Sequence, residues 1–123
     1  MENLNYWTKK VRTIESHESI RQAAKLMEDG GISSLLIVDI ERPVGIITEK
    51  DVMKSVADNM NPDETKVEDI MTKDPVTTRI TADPQTVIDI MLGNGFRHMP
   101  VVDENENLIG IVSLRDLIRT KRI

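Results

Sequence analysis

The sequence contains no cysteine and very few aromatic residues. Among its 123 residues, only Tyr6, Trp7 and Phe96 are aromatic. The lack of cysteine excludes disulfides, thiolate zinc sites and a cysteine nucleophile, and it fits a cytoplasmic location. So few aromatic side chains cannot form the base-stacking platform with which proteins bind single-stranded nucleic acid.

Excess positive charge and long apolar segments are also missing. Asp and Glu outnumber Lys and Arg by 21 to 16, which gives a net charge of -5. This acidic balance disfavours nucleic-acid binding, which usually requires a basic face. No apolar run approaches the length of a membrane span, and the first ten residues lack the apolar core of a secretory signal. The two histidines, His17 and His98, are a poor metal-ligand set. We therefore expect a soluble protein that binds neither membrane, nucleic acid nor metal.

The chain contains an internal repeat. Residues 45–52 read Gly-Ile-Ile-Thr-Glu-Lys-Asp-Val, and residues 110–117 read Gly-Ile-Val-Ser-Leu-Arg-Asp-Leu, 65 positions later. We therefore expect one repeat in residues 1–60 and a second in residues 61–123. The polar stretch 58–65 contains a proline and is interpreted as the linker between them.

Each repeat predicts a short strand, a helix, a β-hairpin and a second helix, in that order. Ser19 and Asp83 are typical N-caps, so a helix is expected after each of them. Gly31 and Gly95 follow these helices and tolerate the left-handed geometry of a helix end. The short strands and the hairpin strands are expected at residues 11–14, 35–39 and 44–48, and at residues 76–79, 99–103 and 108–113. Trp7 precedes the first strand, and the sequence does not decide what it packs against.

This pattern predicts an α+β fold built from two similar units. A unit of this size cannot cover its own sheet, so we expect the two repeats to pack through their sheets around a pseudo-two-fold axis. Such packing would leave two symmetry-related clefts, and clefts between domains are favoured ligand sites.

The most informative motif is Gly-apolar-apolar-Thr/Ser-x-x-Asp, which occurs once in each repeat. Thr48 and Asp51 carry it in the first repeat, and Ser113 and Asp116 carry it in the second. One interpretation is structural, because a hydroxyl followed three residues later by an acid is typical of a helix capping box. The other is functional, because a hydroxyl and a carboxylate at a helix N-terminus suit the phosphate and the vicinal hydroxyls of a nucleotide. The motif alone leaves both interpretations open.

The ordered blocks of both repeats resemble the CBS (cystathionine-β-synthase-type) domain, and the pair resembles a Bateman module. The resemblance covers nearly the whole chain. It implies regulatory binding of an adenosine-containing ligand such as AMP, ADP, ATP or S-adenosylmethionine, with no catalytic cofactor. The matching blocks are residues 20–27, 31–32, 37–39 and 45–51 of the first repeat, and residues 71–77, 95–103 and 110–117 of the second.

By position, the resemblance implies two ligand clefts, each built from both repeats. The first cleft would hold Ile46, Thr48 and Asp51, facing Val76, Thr77, Arg97 and His98. The second cleft would hold Ile111, Ser113 and Asp116, facing Val11, Ile32 and Ser33. The apolar members would enclose the adenine. Because Arg97 and His98 can carry positive charge, phosphate-rich ligands are expected to prefer the first cleft.

Two classes of function remain open. A sensing module would change its conformation or dimer geometry on ligand binding, and a partner protein would respond to that change. A structural interaction module with empty clefts is the alternative, and the Thr/Ser–Asp pairs would then be caps only. Catalysis is disfavoured because the site offers no set of nucleophile, base and orienting group. The resemblance implies a homodimer formed through helices, for which apolar side chains are available at Val52, Met53, Val56, Leu117 and Ile118.

Overall fold

A computed structural model describes residues 3–121 of the protein, with side chains up to residue 119. This part of the chain forms two sheets and five α-helices, which confirms the predicted α+β class. It divides into two compact units. We call Arg12–Pro75 the Thr48 unit, and residues 3–11 together with 76–121 the Ser113 unit.

The Thr48 unit contains a four-stranded sheet in the order β1-β2-β3-β4. Its elements are β1 (Thr13–Ile14), α1 (Ile20–Gly30), β2 (Ser34–Asp39), β3 (Arg42–Thr48), α2 (Glu49–Ala57), α3 (Val67–Ile70) and β4 (Thr72–Lys73). β1 runs parallel to β2, whereas β3 is antiparallel to both of its neighbours. The core of the unit consists of buried side chains of Ile14, Ala23, Met27, Leu35, Ile37, Ile47 and Val67.

The Ser113 unit contains a three-stranded sheet in the order β5-β6-β7. Its elements are a 3-10 turn (Leu4–Tyr6), β5 (Thr78–Arg79), α4 (Pro84–Asn94), β6 (His98–Val102), β7 (Leu108–Ser113) and α5 (Leu114–Lys121). β5 is parallel to β6, and β6 is antiparallel to β7. The core consists of Leu4, Trp7, Val87, Ile88, Met91, Met99, Val101, Val112 and Leu117. Trp7 is therefore a core residue of this unit.

The predicted starts and ends of the first helix in each repeat are confirmed. The side chains of Ser19 and Asp83 each accept a first-turn backbone N–H at 3.1 Å. Gly31 and Gly95 end the helices with φ of 60° and 73°. A Cβ would be strained in this left-handed region, so glycine suits both positions.

The polar stretch 58–65, interpreted as the linker between the repeats, packs against the first turn of α1. The N–H groups of Ile20 and Arg21 in the first turn of α1 donate to the carbonyls of Thr65 and Pro62, both at 3.0 Å. The Arg21 side chain also forms a two-point ion pair with Asp63. The free N–H groups of a helix start need acceptors, and this segment supplies them.

One of the expected dimer contacts is wrong. Leu117 is only 1% exposed and lies in the core of the Ser113 unit, so it is not available to a second copy. The apolar face of α5 that carries it packs inward against its own sheet. Met53 and Val56 on α2 are 66% and 65% exposed, and they remain candidates for contact with a partner.

A short segment near the start of each repeat pairs with the motif strand of the other repeat. We call residues 7–9 and 71–73 the lead-in segments. Lys73 lies opposite Gly45, where β4 pairs with β3. Lys9 forms an antiparallel bridge with Ile111 of β7, with N–H to carbonyl distances of 2.9 Å in both directions. Each compact unit therefore combines the motif of one repeat with the lead-in segment of the other.

The glycine that opens each motif leaves room for a lead-in segment. A Cβ at Gly110 would lie 2.7 Å from the carbonyl oxygen of Lys9, and a Cβ at Gly45 would overlap the side chain of Met71. Both contacts are closer than carbon atoms tolerate. The glycine of the motif is therefore required by a neighbouring chain segment.

We expect Gly110→Ala to lower the free energy of unfolding by about 1–3 kcal/mol, because the new methyl group meets a backbone carbonyl that is fixed by its hydrogen bonds to β7. Gly45→Ala should cost less, because the flexible side chain of Met71 can move aside. Gly93→Ala is the matched control, since nothing lies within 4 Å of its Cβ position in α4. It should be neutral or stabilising by up to about 1 kcal/mol. Chemical denaturation measures all three, and a Gly110→Ala protein of wild-type stability would contradict this explanation.

Candidate functional site

Each motif lies where a strand of a hairpin ends and a helix begins. β3 ends at Thr48 and is followed directly by α2, and β7 ends at Ser113 and is followed directly by α5. The backbone of Thr48 is extended, with φ of -119° and ψ of 167°. An N-cap residue has this extended conformation, so the last residue of the strand places its hydroxyl within reach of the first N–H groups of the helix.

Thr48 and Asp51 form a complete capping box. The N–H and the hydroxyl of Thr48 donate to Oδ2 of Asp51 at 2.8 and 3.1 Å, and the N–H of Asp51 donates to Oγ1 of Thr48 at 3.4 Å. These bonds use one oxygen of the partly buried carboxylate. Among the side chains described, up to residue 119, Oδ1 of Asp51 has no hydrogen-bond or ion-pair partner. The cap therefore fixes the carboxylate and leaves one of its oxygens available.

The second motif uses its carboxylate differently. The N–H of Asp116 donates to Oγ of Ser113 at 3.1 Å, as expected for a helix cap. However, Oδ2 of Asp116 lies 2.6 Å from Nζ of Lys9. The bridge between the lead-in segment and β7 delivers Lys9 to this position. One carboxylate oxygen of the second motif is thus paired with an ammonium group of the same unit.

This ion pair makes the Asp116 carboxyl more acidic. The hydrogen bond from Lys9 is the largest cause that holds the pKa of Asp116 below its ordinary value. The Ser113 hydroxyl and the charges of Lys9 and Arg119 lower this pKa further, whereas partial burial opposes them. Asp116 consequently remains ionised at lower pH than an isolated aspartate.

The protein itself satisfies most of the N–H groups that begin α2 and α5. The N–H of Glu49 donates to the carbonyl of Ser33 at 3.1 Å, and the N–H of Leu114 donates to the carbonyl of Arg97 at 2.8 Å. Together with the cap bonds to the motif hydroxyls, these bonds occupy two of the first three N–H groups of each helix. Side chains, more than the helix starts, must therefore recognise any phosphate here.

Strand pairing places different residues beside the two motif hydroxyls. Ser34 lies opposite Thr48, and His98 lies opposite Ser113. Opposite residues of an antiparallel pair project from the same face of the sheet, so these side chains are neighbours. A neutral hydroxyl accompanies the first motif, whereas a titratable ring accompanies the second.

The predicted site residues are divided between the two compact units. The Thr48 unit contains Ile32, Ser33, Ile46, Thr48 and Asp51. The Ser113 unit contains Val11, Val76, Thr77, Arg97, His98, Ile111, Ser113 and Asp116. Each predicted cleft combines residues of both units, and this combination stays a prediction.

Lys9 is the site residue that sequence reasoning missed. The sequence does relate this segment to the second repeat, because a spacing of 64 positions aligns Trp7-Thr8-Lys9 with Met71-Thr72-Lys73. That alignment extends the repeat to the lead-in segments. It does not show that only Lys9 pairs with a motif carboxylate.

Across residues 3–121, no helix is long and apolar enough to cross a membrane. Over the same range, no three His, Cys, Asp or Glu residues are grouped as a metal site would require.

Comparison with known proteins identifies similar chains. The CBS domain family matches residues 8–58 and 67–122. An uncharacterised 17.7 kDa protein of Acidianus ambivalens is 43% identical over 113 residues, which cover 91% of this chain and 68% of that protein. Inosine-5'-monophosphate dehydrogenase of Methanocaldococcus jannaschii is 36% identical over 115 residues, which cover 93% of this chain but only 22% of the enzyme. A solved CBS domain pair in complex with 5'-methylthioadenosine and S-adenosyl-L-methionine has a TM-score of 0.90 and 31% identity, covering 99% of this chain and 97% of that chain.

We expect Lys9→Met to raise the pKa of Asp116 toward the ordinary aspartate value of about 3.9, because the main group that favours the charged form is removed. This pKa is lowered in the folded protein. The ion pair therefore stabilises the fold at pH values above the ordinary pKa of aspartate, and that stabilisation is lost as pH falls through the folded-state pKa. An ion pair with an exposed lysine of this kind contributes about 0.2–1 kcal/mol to the free energy of unfolding at neutral pH.

A carbon-detected NMR titration of the Asp116 carboxyl measures this change. Lys10→Met is the matched control, because Lys10 is exposed and forms no ion pair among residues 3–121. An unchanged Asp116 pKa in the Lys9→Met protein would show that the pair does not persist in solution.

Proposed function

The chain belongs to the CBS domain family, and from this premise we propose that it is a regulatory module that binds an adenosine-containing small molecule. AMP, ADP, ATP and S-adenosylmethionine are the candidate ligands, and all of them carry a ribose with two vicinal hydroxyls. The solved CBS domain pair that is 31% identical to this chain holds two adenosine compounds, which supports this ligand class.

The observation that carries the proposal is the available carboxylate oxygen of Asp51. Two bonds from Thr48 hold Oδ2, and Oδ1 has no partner among the described side chains, which end at residue 119. A ribose hydroxyl can donate to such an oxygen, and a hydrogen bond to a charged group contributes about 1.5–3 kcal/mol. The cap supports the site, because it fixes the carboxylate before a ligand arrives.

We propose that the other predicted residues complete the sites. Apolar side chains would contact the adenine, and hydroxyl and cationic side chains would contact the sugar or phosphate. The adenine contacts are Val11, Ile32, Ile46, Val76 and Ile111. The polar contacts are Ser33, Thr48, Thr77, Arg97, His98 and Ser113, with Asp51 and Asp116 as acceptors for the ribose.

We propose regulation, without catalysis, as the role of this chain. The motifs supply groups that orient and accept hydrogen bonds, and a covalent mechanism would need a nucleophile with its own activating base. The dehydrogenase relative matches the chain over 22% of its length, so its activity is not carried over. A bound ligand would act by favouring one conformation or dimer geometry over another, and a partner protein would respond to this change.

A structural interaction module is the second candidate. It is favoured by the Thr48–Asp51 capping box, which is complete without a ligand and accounts for the motif by itself. In that case adenosine compounds would not bind, and the exposed apolar side chains of α2 would be the functional surface.

We expect adenosine compounds to raise the melting temperature. A ligand at 100 times its dissociation constant adds about 2.7 kcal/mol to the stability of the folded state, which corresponds to several degrees in a protein of this size. A thermal-shift series with AMP, ADP, ATP, S-adenosylmethionine and GTP tests this, with GTP as the control for the base. No shift with any adenosine compound would favour the structural candidate.

Substitution of the motif carboxylates separates the two candidates further. Asp51→Ala and Asp116→Ala should each remove part of the ligand-induced shift. Asp83→Ala is the matched control, because it removes a helix cap of α4 outside both motifs. It should lower the free energy of unfolding by about 1 kcal/mol, and with it the baseline melting temperature, but it should retain the full ligand-induced shift. If Asp51→Ala behaves in the same way, the motif is only a cap.

We expect a homodimer formed through α2. Light scattering should give about twice the chain mass of 13.9 kDa, and Met53→Asp combined with Val56→Asp should reduce it to the monomer mass. The reason is that two charges on an apolar interface remain unpaired after burial. Ile40→Asp is the control, because Ile40 is 87% exposed at a hairpin turn. A wild-type monomer would rule out the dimer.

A further inference from the structure

The charges around the Asp116 carboxylate are mainly positive. The ammonium group of Lys9 lies 2.6 Å from Oδ2 of Asp116. Arg119 follows three residues later on α5, a spacing that brings side chains together on one helix face. His98 is opposite Ser113 across the strand pair and can carry a further positive charge. This motif therefore combines an acceptor for ribose with several groups that attract anions.

The surroundings of Asp51 differ in which charges are paired. Glu49, two positions earlier on α2, adds a second carboxylate. Lys54 occupies the position that corresponds to Arg119, but its ammonium group pairs with Asp58 at 2.8 Å. In the part of the chain that the structure describes, Asp51 has no ion-pair partner. Within the described part of the Thr48 unit, no cationic side chain is therefore paired with the carboxylate of this motif.

The position of Lys9 links ribose binding to the charge of the ligand. Each oxygen of a carboxylate can accept more than one hydrogen bond, so a ribose can bind Asp116 either beside the ammonium group or in its place. In either case the ammonium group lies next to the bound ligand on a flexible, exposed side chain. An anionic ligand gives this group a partner, whereas a neutral or cationic ligand does not.

We propose that Lys9 is the specificity-determining residue of the Ser113–Asp116 site and makes that site selective for phosphorylated adenosine ligands. The Thr48–Asp51 site accepts adenosine ligands without this preference for phosphate. The inference rests on the proposed function. It reverses the preference expected from sequence, which took account of Arg97 and His98 but not of Lys9.

Site-resolved NMR titrations test the proposal. The probes are AMP and adenosine, which differ only in the phosphate, added to the full chain while the amides of Ser113 and Thr48 are followed separately. At Ser113, AMP should bind about 5- to 10-fold more tightly than adenosine, because a charge-assisted bond to phosphate is partly screened at an exposed site. At Thr48, the two affinities should agree within about 2-fold, since no ammonium group among the described side chains pairs with Asp51.

Variants at residue 9 identify the group responsible. Lys9→Met should remove the preference for AMP at Ser113 and leave the Thr48 titration unchanged. Lys9→Arg should restore the preference, because a guanidinium also pairs with phosphate. Lys10→Met is the matched control and should behave as the wild type.

The outcomes separate this inference from the proposed function. If Lys9→Met weakens AMP and adenosine equally, or changes neither, Lys9 does not determine specificity although the module still binds adenosine ligands. If the amides of both motifs fail to respond to either compound, the proposed function is wrong, and the inference fails with it.

Discussion

The close packing of a lead-in segment against a motif glycine is the contact on which the rest of the second site depends. Lys9 exchanges two backbone hydrogen bonds with Ile111, and this approach is possible because Gly110 has no side chain. The bridge fixes the point from which the Lys9 side chain starts, and the ammonium group consequently reaches Asp116. The glycine at position 110 of β7 thus allows a positive charge, that of Lys9, to lie beside Asp116 in the first turn of α5.

The structural and functional interpretations of the motif are compatible. In the Thr48 unit, the capping box holds one carboxylate oxygen of Asp51 by two hydrogen bonds and leaves the other available. An oriented acceptor binds a hydroxyl with less loss of conformational freedom than a mobile one. The same four residue positions in the Ser113 unit cap α5 but give Asp116 a cationic partner. Two copies of one motif therefore offer different chemistry.

Sequence reasoning predicted the elements whose signals are local. Ser19 and Asp83 are recognisable caps, and the short apolar runs that open the hairpins need no knowledge of distant partners. β4 and the bridge of Lys9 were missed because so short a pairing has no periodicity and because, unlike β1 and β5, each pairs with a strand of the other repeat. Leu117 was assigned to a dimer contact because an apolar helix face does not show whether its own sheet or a second copy covers it.

The two compact units differ in how the chain builds them. The Thr48 unit is one continuous stretch, Arg12–Pro75, whereas the Ser113 unit joins residues 3–11 to residues 76–121. Leu4 and Trp7 belong to a core whose other members are all at residue 87 or beyond. During synthesis, the Thr48 unit can form as soon as its own residues have emerged, as domains generally do. The partners of residues 3–11 lie in β7, α4 and α5, so this segment can take its place only after those elements have been made, later than the Thr48 unit that follows it in the sequence.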